Sequence, residues 1–128
     1  REIADPPLIL FYDGNIECLS QETFAIVGSR ACTDYGIRVT KWLGGQLAHY
    51  FTIVSGLAKG IDAAAHRVAI ENDRPTIAVI GTSLENRYPK ENESLYNLIC
   101  ETGALVTEVP PLTSAQPFYF LLRNFRVV

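Results

Sequence analysis

Short apolar runs recur along the chain, and each ends beside a glycine, a serine or an acidic residue. The runs cover residues 24–27, 52–54, 76–80 and 104–107. Because their apolar positions are consecutive rather than alternating, they predict strands covered on both faces, as in a parallel sheet. An earlier run, residues 8–12, precedes the turn-forming sequence Asp13-Gly14-Asn15 and predicts one more short strand.

Helical patterns separate these runs. Their predicted ranges are Thr33 or Asp34 to about Tyr50, Asp62 to Asn72, and Asn92 to Glu101, with Gly103 as a stop signal. In the first helix, Val39, Trp42, Leu43 and Leu47 share one side, which we predict to be the buried one. The alternation of strands and helices predicts an α/β fold, doubly wound, with a mainly parallel sheet and helices on both faces.

The composition is that of an ordinary globular domain. The chain has 128 residues, of which 48% are hydrophobic and 20% charged, and its apolar runs are too short to cross a membrane. Three scattered cysteines without a paired metal or redox motif favour a reducing, cytoplasmic location. The net charge of -3 argues, taken alone, against a nucleic-acid binder.

The placement of the basic residues changes that picture. A basic residue follows each predicted strand of the parallel sheet: Arg30, then Lys59, then Arg87 and Lys90, and after a longer loop Arg123 and Arg126. The carboxyl ends of parallel strands form the usual ligand-binding edge of an open sheet, so this edge is predicted to be locally positive. The same edge also contains acidic residues, so its electrostatic potential is expected to be of mixed sign. These residues are Asp34, Asp62, Glu85, Glu91 and Glu108.

The loops at this edge are suited to anions. Two glycine-containing loops, 28–30 and 56–60, leave backbone N–H groups unobstructed at strand-to-helix junctions. The predicted phosphate-binding residues in and beside them are Gly28, Ser29, Arg30, Thr33, Ser55, Gly56, Lys59 and Gly60. The alternative for any single loop is that its glycines serve a tight turn and its basic residue is simply solvated.

Familiar enzyme motifs are missing. The first loop is not G-x-G-x-x-G, and the sequence contains no P-loop, no H-E-x-x-H set and no nucleophile elbow. No cofactor and no metal is therefore predicted. Asp62 and His66 lie four residues apart on one helix face, where they form either an acid–base pair or, as we favour, a structural contact that orders the loop.

The motifs resemble those of the DprA/Smf family, the DNA-processing proteins of bacterial natural transformation. Gly28-Ser29-Arg30 with Thr33, Tyr35 and Gly36 resembles the family's GSRxxTxYG signature, and residues 55–62 with Ala65-His66 resemble its SGLARGID and AH block. Further similarities are Tyr88-Pro89 with Glu91-Asn92, Glu108 with Pro110, and Arg123-Asn124. The third loop, residues 81–85, and the Phe125-Arg126 end of the last stretch depart from the family pattern.

This resemblance implies a Rossmann-like domain over residues 23–128 after a lead-in segment, 1–22. The family's domain continues beyond Val128, so we expect this chain to be its first half, incomplete at the C-terminus. The resemblance also implies a non-enzymatic protein that binds single-stranded DNA without sequence preference, loads a RecA-type recombinase and forms homo-oligomers. By this resemblance, Arg30, Lys59 and Arg123 are the expected DNA contacts, with Arg126 beside them. Base stacking falls to Phe120 or Phe125, and loop ordering to Asp62, His66 and Glu108.

Two alternatives remain open at this point. One is a LOG-like enzyme or sensor that binds a nucleotide or ribose phosphate, in which Glu108 would be the only substitute for the catalytic glutamate of that group. The other is a structural or regulatory fragment whose site is degenerate.

Overall fold

A computed structural model of the chain describes residues 9–28, 33–86 and 90–112. In chain order its strands are β1 (Phe11–Gly14), β2 (Thr23–Ala25), β3 (Thr52–Ser55), β4 (Thr76–Val79) and β5 (Ala104–Thr107). Its α-helices are α1 (Asp34–Leu47), α2 (Ile61–Glu71) and α3 (Glu93–Thr102), and two 3₁₀ helices are η1 (Ile16–Ser20) and η2 (Lys90–Asn92). All predicted strands and helices are present, with ends displaced by at most three residues; neither 3₁₀ helix was predicted.

The five strands form one sheet in the order β1-β5-β4-β3-β2. The pairs β2–β3, β3–β4 and β4–β5 are parallel, whereas β1 runs antiparallel to β5 with Phe11 opposite Thr107. The mainly parallel sheet of the predicted α/β fold is therefore confirmed. Its four parallel strands follow one another in space in the order of the chain, so their carboxyl ends all meet at one edge.

The three α-helices form a row on one face of the sheet, where α1 contacts α2 and α2 contacts α3. The core beneath α2 and α3 includes Ala78, Leu105 and the fully buried Tyr96. On the opposite face Val54, Ile77 and Val106 pack with Cys18 of η1. Within the described ranges, then, the second face is covered by a 3₁₀ helix and not by an α-helix.

Burial raises the pKa of the Cys18 thiol above its ordinary value. The thiol therefore stays protonated and donates to the carbonyl oxygen of Asn15, 3.0 Å away. Cys18 is buried at 3% exposure and packs as a small apolar side chain, in keeping with the absence of any paired motif in the sequence.

The buried side of α1 differs from the one predicted. Trp42 is 69% exposed, and Val39 and Leu43 are also exposed, whereas Thr40 and Gly44 are buried. A Cβ added to Gly44 would lie 2.7 Å from the side chain of Val68 on α2, so the two helices approach closely at this point. Leu47, by contrast, is partly buried and packs against the core, as predicted. The prediction was wrong for the other three residues because it followed the largest apolar side chains, while the close approach to α2 is made at Gly44.

Gly103 ends α3, as the sequence predicts. Its N–H donates to the Ile99 carbonyl oxygen at 2.7 Å. A Cβ at this position would lie 1.8 Å from the carbonyl oxygen of Thr76 in β4, so only glycine fits where the chain enters β5. None of the helices in the described ranges is long and apolar enough to cross a membrane.

Candidate nucleic-acid interface

The β3–α2 loop, residues 56–60, forms the centre of the carboxyl edge. Residues 56–58 are buried, and Lys59 is the first exposed residue after β3. Its side chain is 54% exposed, and its ammonium Nζ lies 3.2 Å from the Glu91 carboxylate. The fold therefore places Lys59 at the rim of the edge, as the sequence predicts, but with an acidic partner beside it.

The backbone of this loop is held in an unusual conformation. Leu57 has a φ of 58°, which is rare for a residue other than glycine, and its side chain is 1% exposed in the core beside Tyr96. The Asn92 side-chain amide donates to the Leu57 carbonyl oxygen at 3.3 Å. Gly60 follows with a φ of 77° and begins α2 without a side-chain cap. The core contact of Leu57 and the bond from Asn92 thus fix the loop that carries Lys59.

Ser55 lies inside the sheet and not at its rim. The residue is 0% exposed, and its hydroxyl donates to the carbonyl oxygen of Ile26, which follows β2. The hydroxyl therefore joins the ends of two neighbouring strands. Its predicted role as a phosphate ligand does not agree with this placement, because the proton it would donate is already used in the interior.

Asp62 links the first two loops. Its carboxylate accepts a hydrogen bond from the Gly28 backbone N–H at 3.2 Å, although the residue is only 5% exposed. A Cβ at Gly28 would lie 2.6 Å from the Ile61 side chain, so the β2–α1 loop starts in close contact with the first turn of α2. Asp62 therefore joins the start of the β2–α1 loop to α2, and its loop-ordering role stays a prediction.

His66 is fully buried one turn further along α2. Its ring nitrogen Nδ1 is 2.8 Å from the Thr76 hydroxyl, and that hydroxyl donates to the Ile53 carbonyl oxygen at 2.8 Å. Since the hydroxyl has a single proton, Nδ1 must be the donor to Thr76. His66 therefore connects α2 to β3 and β4 below it, which is a structural role.

Thr33 serves as the N-cap of α1. Its hydroxyl oxygen accepts a hydrogen bond from the Gly36 backbone N–H at 3.1 Å. The residue therefore helps to start the helix, and its side chain is exposed near the edge. Ser29 and Arg30, predicted as the neighbouring phosphate contacts, lie outside the described residues.

The loops after β4 and β5 are joined by hydrogen bonds in the interior. The Thr107 hydroxyl donates to the Thr82 carbonyl oxygen at 2.8 Å and accepts from the Val109 N–H at 3.0 Å. Further out, the exposed Glu85 carboxylate accepts from the Leu112 N–H, and this bond is the main reason that the pKa of Glu85 lies below its ordinary value. Glu108, which lies between Thr107 and Val109 in the chain, is partly buried.

A second basic residue of the edge, Lys90, lies in a more acidic setting. It lines an open polar hollow of about 540 Å³ together with Glu85, Asn86, Glu93 and Asn97. Among the described residues that line it, two carboxylates share the hollow with one ammonium group. These residues make the hollow less suited to a polyanion than the rim at Lys59.

The sequence predicts Glu91 as one of the acidic residues of the edge and Asn92 as the start of the third helix, but it does not identify the partner of either residue. The structure shows that Glu91 contacts Lys59 and that Asn92 contacts Leu57, in each case a residue more than thirty positions away. Of the remaining predicted residues, Gly56 is buried in the loop beside Leu57. The predicted residues Arg123, Arg126, Phe120 and Phe125, and Arg87 after β4, lie outside the described part of the chain.

Comparison with known proteins agrees with the motifs. The family model of DNA recombination-mediator protein A matches residues 1–128. The chain is 44% identical over 123 residues to the DNA processing protein DprA of Streptococcus pneumoniae, which covers 96% of this chain and 44% of that protein. It is 40% identical over 123 residues to protein Smf of Escherichia coli, which covers 94% of this chain and 33% of that protein.

Two solved structures share the fold. The X-ray structure of DprA from Streptococcus pneumoniae superposes with a TM-score of 0.90 at 42% identity, covering 94% of this chain and 43% of that one. The structure of DNA processing protein A from Helicobacter pylori, which describes a unique single-stranded DNA binding mode of that protein, gives a TM-score of 0.87 at 31% identity, covering 95% of this chain and 56% of that one. The chain thus spans about half or less of the length of these relatives. Because the family model matches every residue from 1 to 128, this chain belongs to the DNA recombination-mediator protein A family.

Proposed function

We propose that this chain provides part of a surface that binds single-stranded DNA through its phosphates, without sequence preference and without making or breaking a bond. The observation that carries the proposal is the presentation of Lys59. Its ammonium is exposed at the carboxyl edge of a parallel sheet, on a loop fixed by Leu57 and Asn92. Because the loop backbone is already ordered, binding of an anion restricts the Lys59 side chain but does not have to order the loop as well.

Support also comes from the neighbouring loop and from a relative. Gly28, the first residue of the GSR motif, is joined to α2 through Asp62, so the loop that continues into Arg30 starts next to the β3–α2 loop. The Helicobacter pylori protein, at 31% identity over most of this chain, binds single-stranded DNA. We propose Arg30, Lys59 and Arg123 as phosphate contacts, Arg126 beside them, and Phe120 or Phe125 as stacking residues.

The test is a titration of fluorescein-labelled oligo-dT, followed by anisotropy at several salt concentrations. Each phosphate contact contributes a slope of about -0.7 to the plot of log K against log salt for a single strand. We expect Lys59→Ala to weaken binding and to make the slope shallower by roughly that amount. The matched control is Lys41→Ala, which removes an exposed lysine on the middle of α1. Equal effects of the two substitutions would contradict the proposed site.

In the longer proteins of the family, we propose that this surface holds DNA during natural transformation while other regions form the homo-oligomer and contact a RecA-type recombinase. Incubation of the protein with nucleoside monophosphates tests the competing enzymatic function. Release of free base, lost on Glu108→Gln, would contradict a purely binding role.

A further inference from the structure

The Lys59–Glu91 ion pair has a consequence for the DNA-binding function proposed above, on which this inference rests. The two side chains are 54% and 58% exposed, and 3.2 Å separates the ammonium Nζ from carboxylate Oε2. The carboxylate therefore occupies a position from which a phosphate oxygen would accept a hydrogen bond. We propose that Glu91 is an internal competitor of DNA: it binds Lys59 in the free protein and is displaced by the phosphate backbone.

The loop does not need Glu91 for its shape. Leu57 is packed in the core, and its carbonyl oxygen accepts from the neighbouring residue of Glu91, Asn92, at 3.3 Å. Asn92 is 5% exposed, whereas the Glu91 carboxylate lies at the surface. The two consecutive residues therefore have separate roles, since Asn92 holds the backbone that carries Lys59 and Glu91 contacts the charged end of the Lys59 side chain.

Electrostatics favour competition over shared binding. A lysine ammonium has three N–H donors, so it could contact a carboxylate and a phosphate at once. That arrangement would bring two anionic groups to within a few ångströms of each other, and like charges at that distance repel. The pair is exposed, so its own stabilisation is small and the carboxylate is readily rehydrated when it leaves. DNA binding thus exchanges one exposed ion pair for another, and Glu91 lowers the net gain.

The chain offers a matched control for this role. Glu93 is also an exposed glutamate, two residues further on, and lies in the first turn of α3. Glu91→Gln and Glu93→Gln change the net charge of the protein by the same amount. Their difference therefore reports the local contact with Lys59 and cancels the general attraction of a less acidic protein for DNA.

The experiment is the oligo-dT titration at low salt with wild type, Glu91→Gln, Glu93→Gln, Lys59→Ala and the two Lys59→Ala double variants. We expect Glu91→Gln to tighten binding about two- to fivefold, which is within the range that an exposed ion pair permits, and Glu93→Gln to have a clearly smaller effect. In the Lys59→Ala background the two glutamate substitutions should be equivalent, because the cation for which Glu91 competes is gone.

The outcomes separate this inference from the proposed function. If the wild type binds oligo-dT and Glu91→Gln matches Glu93→Gln, competition is overturned while the binding function stands. Weaker binding by Glu91→Gln would also overturn it, because Glu91 would then position Lys59 for DNA. If neither the wild type nor Glu91→Gln binds, both proposals fail, and binding by Glu91→Gln alone would support the competition directly.

Discussion

Helices α1 and α2 lie side by side on one face of the sheet, but they differ in whether their large apolar side chains are exposed. α2 buries small residues, Ala63 to Ala65 among them, and leaves no large apolar side chain exposed. α1 exposes Tyr35 and Trp42, each at 69%, and buries Thr40 and Gly44. The difference shows that contact between these helices depends on how closely their backbones approach, because small residues permit the shortest distance.

The largest effect is expected where α2 meets the sheet. Ala65 is 0% exposed and packs with Ile53, Ala48 and Ala69. Ala65→Leu would force three further carbons into this filled space, and we expect a loss of about 3 kcal/mol in the free energy of unfolding, measured in urea. Arg67→Leu adds the same residue at an exposed position of α2 and should change stability by no more than about 0.5 kcal/mol. Similar losses for both would show that the helix row is loosely packed.

The two helix starts provide the next comparison. Gly60, before α2, has a φ of 77° and a ψ of -125°, a combination that is open almost only to glycine. Gly60→Ala should therefore cost about 2 kcal/mol through backbone strain. Thr33 caps α1 through its hydroxyl, so Thr33→Ala should cost about 1 kcal/mol, and Thr33→Ser should restore most of it. Urea unfolding of all three variants tests this order, and a harmless Gly60→Ala would contradict the positive φ.

Neighbouring glycines in α1 allow a sharper test of the helix contact. A Cβ at Gly44 would lie 2.7 Å from Val68, whereas one at Gly45 would have its nearest neighbour at 3.7 Å. Gly44→Ala gains helix propensity but overpacks against a stiff β-branched side chain, so a net loss of about 1 kcal/mol is expected. Gly45→Ala should gain about 0.5–1 kcal/mol, because it adds helix propensity without a clash. Opposite signs in thermal unfolding would confirm where α1 touches α2.

The fold was predictable because its strands are short, continuously apolar and bounded by glycines, which is the signature of a covered parallel sheet. The buried side of α1 was not, since Thr40 and Gly44 carry no hydrophobic signal of their own. Within the site, Lys59 could be placed at the sheet edge from its position after β3. The hydrogen bond from Ser55 to Ile26 and the ion pair between Lys59 and Glu91 could not be predicted, because each contact joins segments that are distant in the chain.

The smallest expected effect concerns the outer side of α1. Trp42 is 69% exposed, and serine has nearly the same helix propensity as tryptophan, so Trp42→Ser should change the free energy of unfolding by less than about 0.5 kcal/mol. The measurement is again urea unfolding, with Gly44→Ala as the reference for a change at the α2 contact. A loss above about 1 kcal/mol would mean that the indole ring is packed in solution, since only a buried tryptophan contributes that much. In that case the outer side of α1 would be packed against other residues in solution, and the sequence-based prediction that Trp42 lies on the buried side of α1 would be correct.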